Sequence, residues 1–168
     1  MTLRLPALMV LAALTLAACN NPDRFGAPGA GGPGAGGAAG SASDPSSPAY
    51  FQASVGDRVF FAVDESTLSA SARATLDGQA DWLMNQGSGF DVIVEGHADE
   101  QGTREYNLAL GARRANAVQE YLVSRGVSPG RIRTVSYGKE RPVELCSDES
   151  CYSINRRAVT VISAGTGV

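Results

Sequence analysis

The chain has 168 residues, with 14 Lys and Arg against 17 Asp and Glu, a formal net charge of −3 and a pI near 5.1. That balance argues against a nucleic-acid partner, which wants a basic stripe. Lys139 is the single lysine and every other cation is an arginine, a side chain suited to bidentate carboxylate recognition, although composition alone does not prove that use.

In chain order, Arg4 comes first as a positive n-region. An apolar run over residues 5–16 follows, broken only by Pro6 and Thr15, and Ala17, Ala18 and Cys19 close it. This shape predicts a cleaved secretory signal over residues 1–18, too short to span a bilayer as a mature helix. The ending Leu16-Ala17-Ala18-Cys19 resembles the bacterial lipobox. The resemblance implies that Cys19 is acylated and becomes the first mature residue. Each buried methylene contributes about 0.8 kcal/mol, and more than one acyl chain is needed for durable anchoring. By the sorting rule of such lipoproteins, Asn20 implies the outer membrane, with the protein on its periplasmic face.

Residues 19–49 read as the anchor and a flexible linker. Residues 29–40 are almost purely Gly and Ala, and residues 41–48 add Ser, Pro and one Asp. Large apolar side chains are nearly absent, so little offsets the entropy of ordering. A glycine-rich chain of about thirty residues has an r.m.s. span of roughly 30 Å and a reach of about 100 Å when pulled out.

Residues 50–168 read as one domain of alternating strands and helices. Arg58-Val59-Phe60-Phe61-Ala62-Val63 is rich in β-formers and predicts a first strand. Leu68, Ala72, Leu76, Ala80 and Leu83 recur at helical spacing, with Ser69 as N-cap and Gly87 and Gly89 beyond the end. Residues 90–96 predict a second strand. Leu108, Ala112, Ala115, Val118 and Leu122 form the next helical stripe, stopped by Gly126. Residues 131–137 and 158–162 predict two more strands. The order βαβα then ββ predicts an α+β fold, a two-layer sandwich with a mixed sheet and helices on one face.

Cys146 and Cys151 lie close together in a polar stretch. Outside the cytosol a disulfide is their natural reading. Closing so short a loop contributes roughly 2 kcal/mol in the chain-entropy model. The alternative is a metal site, but no second ligand pair is present and the only histidine is His97.

Polar residues crowd where the second strand ends. Gly96-His97-Ala98-Asp99-Glu100-Gln101-Gly102 runs into a turn, and Arg104-Glu105-Tyr106-Asn107 enters the long helix. Arg113 falls on the solvent side with Asn116 and Glu120. Arg114 lies about 100° further round, at the margin of the buried face, and is the better placed to meet Asp99. A strand C-terminus facing a helix is a common ligand crevice. The same residues also admit plainer roles. Asp99 and Arg114 pair as a structural ion pair, Asn107 braces the turn, Asp64 caps a loop, and His97 packs.

The run Val94-Glu95-Gly96-His97-Ala98-Asp99-Glu100-Gln101-Gly102-Thr103-Arg104-Glu105-Tyr106-Asn107-Leu108-Ala109-Leu110-Gly111-Ala112-Arg113-Arg114-Ala115 resembles the OmpA-like peptidoglycan-binding module, in the form carried by lipoproteins of the Tol–Pal system. Thr134-Val135-Ser136-Tyr137-Gly138-Lys139-Glu140-Arg141-Pro142 and Asn155-Arg156-Arg157 match as well. The resemblance implies non-covalent binding of the peptidoglycan stem peptide at its meso-diaminopimelate, whose free end carries an ammonium and a carboxylate on one carbon. A carboxylate and a guanidinium complement that zwitterion. By family position, Asp99 takes the ammonium and Arg114 the carboxylate. Asp64 lines the same pocket, and Asn107 and Arg156 flank it. Arg157 replaces Arg156 if the last strand shifts by one residue. The implied partners are peptidoglycan, the outer membrane through the lipid anchor, and TolB with other Tol-system proteins.

Catalysis has little support. Adjacent residues on one strand end point to alternate faces, no Ser-His or Cys-His pair is evident, and one histidine is thin support for zinc. No enzyme activity and no cofactor are expected. The competing readings are an accessory lipoprotein of another envelope machine and, behind it, a cell-wall hydrolase using paired carboxylates.

Overall fold

A computed structural model describes residues 40–164. The predicted signal, Cys19, Asn20 and linker residues 20–39 lie outside them. The chain runs α1 (Pro48–Tyr50), a π-turn (Phe51–Gly56), β1 (Arg58–Phe60), α2 (Ala70–Asn85), β2 (Phe90–His97), α3 (Arg104–Ser124), a 3-10 turn (Pro129–Arg131), β3 (Ile132–Gly138), α4 (Glu149–Asn155) and β4 (Arg157–Ala164). The fold is α+β, with a four-stranded mixed sheet in the order β1-β4-β2-β3. β4 lies antiparallel between β1 and β2, and β2 pairs with β3 in parallel, as the crossover through α3 allows.

Period-two alternation in burial is visible in β1 and β2. Val92, Val94 and Gly96 turn inward opposite Ile132, Thr134 and Ser136 of β3 and Ile162, Thr160 and Ala158 of β4. α2 and α3 cover that face. Leu76, Leu83, Val118 and Leu122 join Val92 and Val94 in one core, all fully shielded from water. α2 begins at Ser69, whose hydroxyl accepts from the Ala72 amide, a cap that contributes about 1 kcal/mol.

The structure differs from the sequence pattern in four places. β1 stops at Phe60; Phe61 keeps one hydrogen bond to Arg156 O at 3.0 Å before the chain turns away. α3 is rolled relative to its predicted stripe. Leu110, Gly111 and Arg114 are buried, while Leu108 and Ala112 are only half-buried. The reason is the meeting of Gly111 with Gly96, where a Cβ on either glycine would collide with the backbone or side chain opposite. α4, started by the Asp148 side chain on Ser150 N, falls in the stretch read as a polar loop. Finally, packing begins ahead of Tyr50. Trp82 Nε1 donates to Pro45 O at 2.7 Å, Ser47 is buried, and the Phe51 and Phe90 rings lie 4.9 and 6.0 Å from Trp82.

Candidate functional site

The loop after β2 and the loop after β1 face each other across the N-terminal turn of α3. They enclose an open cleft of about 190 Å³ lined by Asp64, Asp99, Gln101, Tyr106 and Asn107, with Val63, Gly102 and Leu110 completing the wall.

Each wall is held by local chemistry. Asp99 Oδ1 accepts from the Gln101 amide at 3.2 Å, a side-chain turn that Asp favours. Asn107, buried on the first turn of α3, donates from Nδ2 to Gln101 O at 2.7 Å. Lys139, beyond β3, donates to the carbonyls of Glu100 and Gly102 at 3.1 and 2.7 Å. Gly102 has φ +85°, a conformation glycine adopts without steric cost. On the opposite wall Asp64 has φ +59°, uncommon for a residue with a Cβ, and Asp tolerates it better than most. Tyr106 OH donates to Asp64 Oδ1. Arg113 is exposed and stacks its guanidinium 5.8 Å from the Tyr106 ring.

Two buried arginines stand behind the wall. Arg114 is fully shielded and donates from Nε to Glu65 O at 2.8 Å, from Nη1 to His97 O at 2.8 Å and from Nη2 to Ala62 O at 3.1 Å. Those carbonyls bracket Asp64 and precede Asp99. Three of its five N–H groups are used, which leaves one on each terminal nitrogen. Burial pulls this guanidinium down to about 10, with Asp99 and Asp64 opposing and Arg156 adding to the fall. It remains a cation at neutral pH. Arg156 pairs with Asp99, Nη1 to Oδ2 at 3.2 Å, donates from Nε to Phe61 O at 3.2 Å, and binds Glu149. Its pKa is raised, first by Glu149 and then, against the cost of burial, by Asp99.

The structure therefore brings Asp64, Asp99 and Asn107 to one cleft and sets Arg114 and Arg156 against its walls. The ion pair of Asp99 is with Arg156. Arg157 goes to the other face of the sheet, where it donates to Asn155 O and Arg141 O. It lies near His97 and contributes to that group's depressed pKa. Cys146 and Cys151 form a disulfide with Cα atoms 5.7 Å apart. Sequence reasoning missed Tyr106 and Gln101 as lining residues, although both flank quoted positions, and missed Glu149, which no local pattern marks.

A profile of the OmpA family matches residues 60–156. The chain is similar to the peptidoglycan-associated lipoprotein of Rhizobium meliloti, 61% identical over 112 residues, which cover 67% of this chain and 63% of that protein. It is also similar to the peptidoglycan-associated lipoprotein of Mesorhizobium japonicum, 59% identical over 67% of each chain. Among solved structures, it resembles the peptidoglycan-associated lipoprotein from Burkholderia pseudomallei, with a TM-score of 0.63 and 37% identity over 73% of this chain and 98% of that one. The chain belongs to the OmpA family, where its similarity is to the peptidoglycan-associated lipoproteins.

Proposed function

We propose that the chain binds peptidoglycan without catalysis, gripping the meso-diaminopimelate of a stem peptide. Anchored through an acylated Cys19 on the periplasmic face of the outer membrane, it tethers that membrane to the wall as part of the Tol–Pal system, with TolB as a partner. The observation that carries this reading is the pair of carboxylates, Asp64 and Asp99, on facing walls of one cleft backed by the Arg114 guanidinium. The carboxylates complement an ammonium, and the positive charge of Arg114 behind the wall complements a carboxylate on the same carbon. Asn107 holds the loop that carries Asp99, and Arg156 acts on the cleft through Asp99.

Co-sedimentation with purified sacculi tests the grip. Asp64→Asn with Asp99→Asn keeps shape and removes both charges, so the double variant should stay in the supernatant while its circular dichroism matches wild type. Sedimentation equal to wild type refutes the reading. Crosslinking in the envelope, followed by identification of the captured protein, tests the Tol-system assignment: TolB supports it, and a component of another machine in its place overturns it.

A further inference from the structure

The hairpin closed by Cys146 and Cys151 lies against the ligand loop at two adjacent residues. Ser147 Oγ and Tyr152 OH both donate to Glu100 Oε1, at 2.8 and 3.0 Å. One residue earlier, Asp99 accepts from Arg156, and both terminal nitrogens of that guanidinium donate to Glu149. With its Nε on Phe61 O, Arg156 has four of its five N–H groups engaged. A buried guanidinium clamped between two carboxylates cannot swing toward solvent. It fixes the Asp99 carboxylate from behind.

Glu149 is itself placed by its frame. Asp148 caps α4, accepting from the Ser150 amide at 2.8 Å, which sets Glu149 in the first turn. The disulfide ties the start of α4 to the irregular loop that leads into it. The charged residues lining the cleft are Asp64 and Asp99, so Glu149 does not stand where a ligand carboxylate would bind.

We propose that Glu149 is a positioning residue for the ligand: through Arg156 it orients Asp99, and the cystine hairpin is the frame that keeps it there. This rests on the peptidoglycan reading above. It makes the hairpin part of the binding apparatus although no residue of it lines the cleft.

The test is calorimetric titration of the full chain with a monomeric muropeptide carrying meso-diaminopimelate. Wild type, Asp99→Ala, Glu149→Gln, Glu149→Asp and the paired Cys146→Ser, Cys151→Ser variant are compared. The Glu149 side chain is 64% exposed, so Glu149→Gln should lower Tm only slightly. Its Kd should nonetheless rise about fivefold, the scale of one partly exposed ion pair. Glu149→Asp, which keeps the charge, should recover most of that loss, and the paired serine variant should weaken binding in the same direction. The carboxyl carbon resonance of Asp99 should move in ligand-free Glu149→Gln, a signature that a purely structural role does not produce. An unchanged Kd in Glu149→Gln beside lost binding in Asp99→Ala overturns the positioning role and leaves the binding reading standing. Tighter binding by Glu149→Gln also overturns it, since Glu149 would then be a competitor. Wild-type affinity in Asp99→Ala overturns both.

Discussion

Arg156 and Asp99 form an ion pair at 3.2 Å in which the two side chains are only 5% and 10% exposed. Removing one partner from such a pair strands the other, and that cost exceeds the net worth of the pair. The two deletions are unequal here. Asp99→Ala leaves Arg156 still bound to Glu149 and Phe61 O. Arg156→Ala leaves Asp99 with the Gln101 amide as its remaining donor. Arg156→Ala should therefore cost about 3 kcal/mol in urea unfolding, and Asp99→Ala clearly less. The reverse order would mean that Asp99 is already solvated.

Gly96 and Gly111 let α3 touch β2 backbone to backbone. On an exposed helix Gly→Ala would gain up to about 1 kcal/mol of propensity. A methyl on Gly111 meets Ser136 Oγ and the Gly96 carbonyl well inside contact distance, and overpacking of this kind costs roughly 1–3 kcal/mol. The clash wins, so Gly111→Ala should lower Tm. Gly96→Ala should lower it further, because its Cβ meets the Gly111 carbonyl rather than a side chain that can rotate. A Tm rise in Gly111→Ala would show that α3 can lift off the sheet cheaply.

These contacts also show what was legible in the sequence. The α2 stripe and its Ser69 cap follow from spacing and local hydrogen bonding, and the structure has both. The α3 stripe was readable only in its second half. Hydropathy favours Leu108 and Ala112, whereas helix–sheet approach selects Gly111, and three backbone carbonyls select Arg114. Those carbonyls are remote in sequence, so no window contains the reason a charged residue is buried there. α4 has seven residues, too few to establish a period. Asp99 and Asn107 stand together because a strand end and the next helix start are neighbours in the chain. Arg156 and Glu149 join them only because β4 inserts between β1 and β2, which alternation within a strand does not reveal.

His97 is 1% exposed and neither ring nitrogen has a hydrogen-bond partner, although Glu95 lies 3.5 Å from Nε2. Burial, then Arg157 and Arg141, push it down to about 4. The ordinary value is about 6.5. Above pH 6.5 the ring is neutral in both folded and unfolded chains and contributes nothing to pH dependence. As pH falls toward 4, the unfolded chain takes a proton that the folded one refuses, so stability falls by roughly 3 kcal/mol and then levels. His97→Phe gives up no hydrogen bond and should remove that slope between pH 6.5 and 4 in denaturant titrations. An equal slope in both proteins would assign it to the carboxylates instead.

Arg114 joins the loop after β1 to the end of β2, and Asp64 sits between two of the carbonyls it holds, those of Ala62 and Glu65. Lysine offers three donors on a single nitrogen and cannot match a planar fork aimed at three separated oxygens. Arg114→Lys therefore loses at least one charge-assisted hydrogen bond and the guanidinium's place 5.1 Å from the Phe61 ring, a cost of about 3 kcal/mol in all. The loss should be local before it is global. The Glu65 amide, bonded to Ala62 O at 3.3 Å, should exchange hydrogen faster in Arg114→Lys under native conditions, while α2 core amides slow to exchange in wild type fall only with global stability. Because that loop carries Asp64, muropeptide affinity should drop with Glu65 protection rather than with Tm. Affinity that instead follows Tm alone would mean that Arg114 supports the fold without shaping the cleft.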